Sequence, residues 1–134
     1  MNSLNRLSEA IIFSLQDYIN KRGFRALIHF ELEGCYQKPI GKKIDYKQVN
    51  KQLLALGIDG EVVAEYWSNQ WEYVSIFNGQ SPLKEAQNLH HAIYLLPKLF
   101  AEQGVTKTLI KPVVWAGDYG KLAAGCENIF SGDN

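Results

Sequence analysis

The sequence lacks an excess of charge of either sign, because fourteen Lys and Arg balance fourteen Asp and Glu. A chain of zero formal charge is neither a broadly basic nucleic-acid binder nor a polybasic membrane protein, although it can carry a local patch. Cysteine is scarce. Cys35 and Cys126 cannot build a disulfide framework, and the expectation is a small buried thiol at each, in a reducing compartment. Long apolar runs are missing too, since no stretch reaches the ~18 residues a membrane span needs. The apolar run 10–15 is broken by Ser14 and closed by Gln16-Asp17, which is not a secretory pattern, so a cytoplasmic location is expected. There is no internal repeat, low-complexity tract or linker-like shift in composition. At 134 residues the chain suffices for one core and not for two. A single domain over 1–134 is expected.

What the sequence does carry is clear periodicity. Leu4, Leu7, Ile11, Leu15, Tyr18 and Ile19 recur at three-and-four spacing, with Ser3 as a cap and Lys21-Arg22-Gly23 as a stop, which predicts a helix over 3–22. Residues 24–33 then alternate, with Phe24, Ala26, Ile28, Phe30 and Leu32 on one side. Arg25, Leu27, His29, Glu31 and Glu33 take the other, the pattern of a half-buried strand. A loop is predicted over 34–43, holding a short extended piece at 36–40. Asp45 and Gln48 have capping-box spacing ahead of Val49, Leu53 and Leu56, so a second helix is predicted over 46–56. Residues 61–67 and 71–77 are rich in β-branched and aromatic residues and predict a hairpin around Ser68-Asn69-Gln70. Ser81-Pro82 opens a third helix running to Gly104, with Pro97 expected to kink or split it. Residues 105–115 read as a strand that Pro112 confines to an edge, and 116–134 as an irregular tail.

After the first helix the order is β-α-β-β-α-β, the split, ferredoxin-like pattern of an α+β chain. It predicts a four-stranded antiparallel sheet with strands 1 and 3 central and two helices on one face. A three-residue hairpin loop would set Trp67 opposite Trp71, Glu65 opposite Tyr73, Val63 opposite Ser75 and Glu61 opposite Phe77. Val62, Ala64, Tyr66, Glu72, Val74 and Ile76 would then lie under the helices. The far side would carry Arg25, His29, Glu31, Glu33, Glu65, Trp67, Trp71, Tyr73 and Phe77. A bare face with such aromatics needs a cover: the first helix, the C-terminal tail, a second copy or a ligand. The expectation is a homodimer with this face or the first helix at its centre and a residual cleft near His29 and Glu65. His29, Glu31, Glu65, Trp67, Trp71, Tyr73 and Phe77 form the candidate ligand-binding set. Ring faces and carboxylates suit a small cationic or amphipathic molecule, or a protein partner.

Motifs for chemistry are sparse. His29, Glu31 and Glu33 share a strand face, but without HExxH or a cysteine pair no metal or cofactor is expected. His90 and His91 point about 100° apart on a helix and cannot serve one ion. Lys38, Lys42, Lys43, Lys47 and Lys51 cluster on the approach to the second helix and along it, yet Gly41-Lys42-Lys43 lacks the flanks of a phosphate loop. Carboxylates on strand 1 and the absence of an RNA-recognition signature argue against nucleic acid. The glycine-rich segment from Trp115 to Gly120 reads as a turn. These features point to a non-enzymatic accessory binding module. One alternative is a small enzyme with His29 as base and Glu31 or Glu65 as its carboxylate. Another is an immunity-type or regulatory protein docking through the lysines of the second helix.

Overall fold

The computed structural model describes residues 4–65, 69–76 and 79–110. Ser3, Trp67, Phe77, Cys126, the strand expected beyond residue 110 and the tail over 116–134 lie outside the described residues. The chain is α+β, with three helices and a four-stranded antiparallel sheet.

Helix α1 (Arg6–Asn20) is capped by Asn5, whose side chain accepts from the Leu7 N–H at 2.7 Å. Residues 24–30 follow. From Arg25 onward the alternation sorts the side chains as predicted: Ala26, Ile28 and Phe30 are half-buried and Arg25, Leu27 and His29 exposed, whereas Phe24, expected on the apolar side, is exposed. They do not yet pair as a strand. Ala26, Ile28 and Phe30 face Ile12, Leu15 and Gln16 of α1 and the residues Pro82 and Ala86. Strand β1 (Glu31–Gln37) therefore starts later than the alternation suggests and runs through part of the expected loop. Ser75 marks the changeover, because its hydroxyl accepts from the Phe30 N–H at 2.8 Å and its own N–H donates to the Phe30 carbonyl at 2.9 Å.

Helix α2 (Tyr46–Ala55) keeps half of its capping box. Asp45 accepts from the Gln48 N–H at 3.1 Å, but the Asp45 N–H donates to Gln103 Oε1 at 2.6 Å. That bond ties the start of α2 to the end of α3 (Pro82–Glu102), which Ser81 caps and which continues through Pro97 as one helix. Strands β2 (Gly60–Ala64), β3 (Gln70–Ser75) and β4 (Lys107–Leu109) complete a sheet of order β2-β3-β1-β4. Asn50 of α2 closes the outer strand by accepting from the Val62 N–H at 2.7 Å and donating to the Val62 carbonyl at 2.9 Å.

The hairpin register differs from the predicted one. Val62 stands opposite Tyr73, and Ala64 opposite Trp71, while Leu32 and Gly34 flank the same two residues from β1. The loop is longer than three residues, which slides the pairing by three positions. An odd slip exchanges the faces of a strand. Trp71 and Tyr73, expected on the open side, are 0% exposed and point into the helical layer. Glu72 and Val74, expected beneath the helices, point the other way.

The core is correspondingly aromatic. The Phe100 ring lies 5.5 Å from that of Trp71 and 5.3 Å from that of Tyr36, among Val49, Leu53, Ile58, Val62 and Leu96. Two strand glycines make this packing possible. A Cβ on Gly34 would overlap Cζ2 and Cε2 of Trp71, and one on Gly60 would overlap the Tyr73 phenol. Cys35 is buried and is disulfide-bonded, which corrects the expectation of a thiol there.

Candidate functional site: the carboxylate face of the sheet

The exchanged register turns the open side of the sheet into a surface of glutamates. Residues directly opposite across antiparallel strands share a face. Glu72 sits at the centre, on β3, with Glu33 directly across on β1 and Val63 directly across on β2. One row along, Val74 lies between Glu31 and Glu61. In the other direction Glu65 follows β2, its N–H donating to the Gln70 carbonyl at 3.2 Å. Glu31, Glu33 and Glu61 are exposed, and Glu65 and Glu72 are half-buried. The helices pack on the opposite face, against the aromatic core.

Crowding of like charge is visible at the centre. The Glu72 carboxyl is held above its ordinary value, first by partial burial, then by the charges of Glu65, Glu31 and Glu33, and by a hydrogen bond with Glu65. Among the described residues Glu33, Glu61 and Glu72 have no Lys or Arg in ion-pair contact, and Glu31 stands beside His29.

The residues predicted as a ligand site separate into three places. His29 and Glu31 do come together, with His29 Nε2 3.4 Å from Glu31 Oε1. The other ring nitrogen, Nδ1, is 3.3 Å from Ser75 Oγ. The chain Ser75–His29–Glu31 has the residue types of a nucleophile relay, but Ser75 is 3% exposed and its oxygen already accepts the Phe30 N–H. Glu65 belongs to the carboxylate face and also to a separate cleft, so the expected cleft joining it to His29 is not formed by these residues. Trp71 and Tyr73 are core.

No family model, curated protein or solved structure matches this chain.

The lysines form a second charged region. Lys38, Lys42 and Lys43 line an open cleft of about 270 Å³ with Tyr36, Ile44, Tyr46, Glu65 and Gln70. The Tyr36 and Tyr46 hydroxyls are hydrogen-bonded at 2.8 Å on its wall. Burial raises both phenols above their ordinary value, so they stay protonated in neutral solution. Lys47 and Lys51 continue the basic stripe along α2 and are exposed.

A polar cluster that sequence reasoning missed lies inside, at the start of α3. Glu85 is 2% exposed and Asn88 1%. Asn88 Nδ2 donates to Gln80 Oε1 at 3.2 Å, and Gln80 in turn donates to Asp59. Desolvation, followed by the nearby Asp59 charge, raises the Glu85 carboxyl. Helical spacing alone gives Glu85 no mark that separates it from a solvated glutamate. Among the described residues no three metal-ligating side chains gather at one point, and no helix is long and apolar enough to cross a membrane.

Proposed function

We propose that the chain is a binding module whose glutamate face holds a basic partner, and that it is not a catalyst. The observation that carries this reading is the set of five glutamates around and including Glu72 on a sheet face with the helices on its other side. Bringing charges together as Glu72, Glu33 and Glu65 are brought together costs free energy, which an arriving cation relieves. A sheet face spreads its carboxylates over a broad area, so a Lys- or Arg-rich segment of a protein fits it better than a small molecule does. The β-α-β-β-α-β, ferredoxin-like arrangement behind an N-terminal helix is part of this reading, since that pattern sets its helices on one face of the sheet.

The test is titration of a fluorescein-labelled Arg-rich peptide into the protein, followed by anisotropy. Glu33→Gln/Glu61→Gln/Glu72→Gln should weaken binding at least tenfold, and raising salt should weaken it for the wild type. Binding that survives both changes would end the proposal. Because bound cations lower the Glu72 carboxyl, affinity should rise with pH through the range where that group ionises.

A second reading rests on Lys38, Lys42 and Lys43 of the cleft and on Lys47 and Lys51 of α2: an acidic partner docked there, as in an immunity-type or regulatory protein. The anisotropy experiment repeated with a poly-Glu peptide and Lys43→Gln/Lys47→Gln/Lys51→Gln separates it from the first. The cytoplasmic location expected from the sequence is the part of the account that the bonded Cys35 opposes, since disulfides persist in oxidising compartments. Mass spectrometry of thiol-trapped protein decides this point. A bonded Cys35 is the expected result and favours an oxidising compartment, whereas a labelled free thiol would contradict the bond and support the cytoplasm.

A further inference from the structure

Helix α1 is amphipathic but contains no buried residue. It rests on α3 through polar links, with Gln16 Oε1 accepting from the Leu83 N–H at 2.7 Å and Gln87 donating to Glu9 at 3.5 Å. Ile12, Ile19 and Gln16 turn toward the body of the protein and are half-buried. Beside them runs a second stripe, Leu7, Ile11, Leu15 and Tyr18, whose spacings of four, four and three residues keep it on one side of the helix. These side chains are 67%, 59%, 55% and 54% exposed, and Phe24 just beyond the helix is 71% exposed. Such a stripe is what a partnered helix shows, with the partner taken away.

We infer that α1 is the seam of a homodimer, with the Leu7–Ile11–Leu15–Tyr18 stripe and Phe24 of one protomer packed on the same residues of a second copy. The area fits. At ordinary side-chain sizes the five residues expose roughly 600 Å². A standard interface buries about 800 Å² per partner, of which about 65% in homodimers, or roughly 500 Å², is apolar. The patch is therefore of the size one self-complementary contact consumes, and it matches or exceeds the largest apolar patch usual on a monomer, about 300–600 Å².

Charge selects the occupant. Asp17 is paired with Lys21 at 2.7 Å within the same helix, and the Arg22 guanidinium lies 3.4 Å from the centre of the Tyr18 ring. Asp17 and Lys21 thus offset each other, Arg22 keeps its positive charge at the end of the stripe, and the Leu7, Ile11 and Leu15 side chains present no charge for an oppositely charged protein to read. A membrane-surface helix carries Lys and Arg along its polar face. On α1 the basic residues stand only at the ends, Arg6 at the start and Lys21-Arg22 after Asn20, while Glu9 and Gln16 between them are engaged with α3. A second copy meets an apolar, self-paired surface with its like, and C2 symmetry needs nothing else.

Sedimentation equilibrium of the full chain over 1–100 µM tests this. The wild type should dimerise within that range. Ile11→Glu and Leu7→Glu, both at exposed positions, should each raise the dissociation constant at least tenfold while keeping the wild-type circular dichroism. Ile40→Glu, at a residue exposed outside the seam, should leave it unchanged. A wild type monomeric at 100 µM would overturn the inference, as would a dimer indifferent to Ile11→Glu and Leu7→Glu. Co-sedimentation of a monomeric wild type with vesicles of neutral and anionic lipid would overturn it in favour of a membrane surface.

Discussion

Replacing Gly34 by Ala asks directly whether Trp71 lies over β1 in the core. The added methyl would occupy space now held by the Trp71 benzo ring and would meet the Leu109 carbonyl oxygen at 2.8 Å. The ring cannot step aside freely, because it is 0% exposed and has Phe100 packed 5.5 Å away. Forcing a methyl into a filled core costs about 1–3 kcal/mol. Against this, Gly→Ala restricts the unfolded chain and returns about 0.4–1 kcal/mol where the backbone tolerates it. The overlap here involves two ring atoms and a carbonyl, so the upper part of the range applies and a net loss of about 2 kcal/mol is expected. With a urea m-value of about 1.5 kcal/mol/M, the midpoint should fall by roughly 1.3 M. Far-UV circular dichroism is the appropriate probe, since tryptophan fluorescence would report the substituted site itself. Trp71→Leu should be costly alone yet should relieve part of the clash, giving a coupling of at least ~1 kcal/mol in the double-mutant cycle. A Gly34→Ala protein within ~0.5 kcal/mol of the wild type, or an additive cycle, would refute the face assignment of β3.

Other outcomes follow from the same packing. Phe100→Ala removes the ring that Tyr36 and Trp71 share and should cost about 3–5 kcal/mol by urea unfolding. Asn50→Ala leaves both Val62 backbone groups without their side-chain partner and should cost about 1–3 kcal/mol, while α2 retains its helicity. Glu72 and Glu85 are both raised in the folded state, so the native protein binds more protons than the unfolded chain as pH rises through and above 4.5. Their contribution is therefore present below that value and lost on going toward neutrality. Glu72→Gln should flatten this fall, and added salt should raise the melting temperature at neutral pH by screening the face; a wild type more stable at pH 7 than at pH 5, with Glu72→Gln unchanged in slope, would contradict it.

The helices were legible because their signals are local. Asp45, Ser81 and the apolar spacings act within one or two turns, and the caps form where those residues stand. Pro97 was expected to kink or split α3, and the helix runs through it without a split. The side taken by Ala26, Ile28, Phe30 and Leu32 was equally legible, since alternation survives even where the strand does not begin. The hairpin was not, because its register depends on the number of loop residues, and nothing within 65–69 announces that number. One wrong length moved Trp71 and Tyr73 from core to surface on paper and hid Glu72 beneath the helices. Of the seven candidate residues, Glu31 and Glu65 lie on the open face, as the sequence placed them. The expected register also put Glu33 and Glu61 on that side, while Glu72 reached it only through the observed pairing. Gly34 and Gly60 carried a usable hint, since glycine inside a strand signals a close approach.

The most direct test of the glutamate face as a docking surface is an amide chemical-shift map of the isotopically labelled protein titrated with the Arg-rich peptide. The account predicts saturable shifts centred on Glu72 and spreading to Glu31, Glu33, Glu61 and Glu65, with the amides of Lys47 and Lys51 still. Shifts centred on α2, or none that saturate, would contradict it.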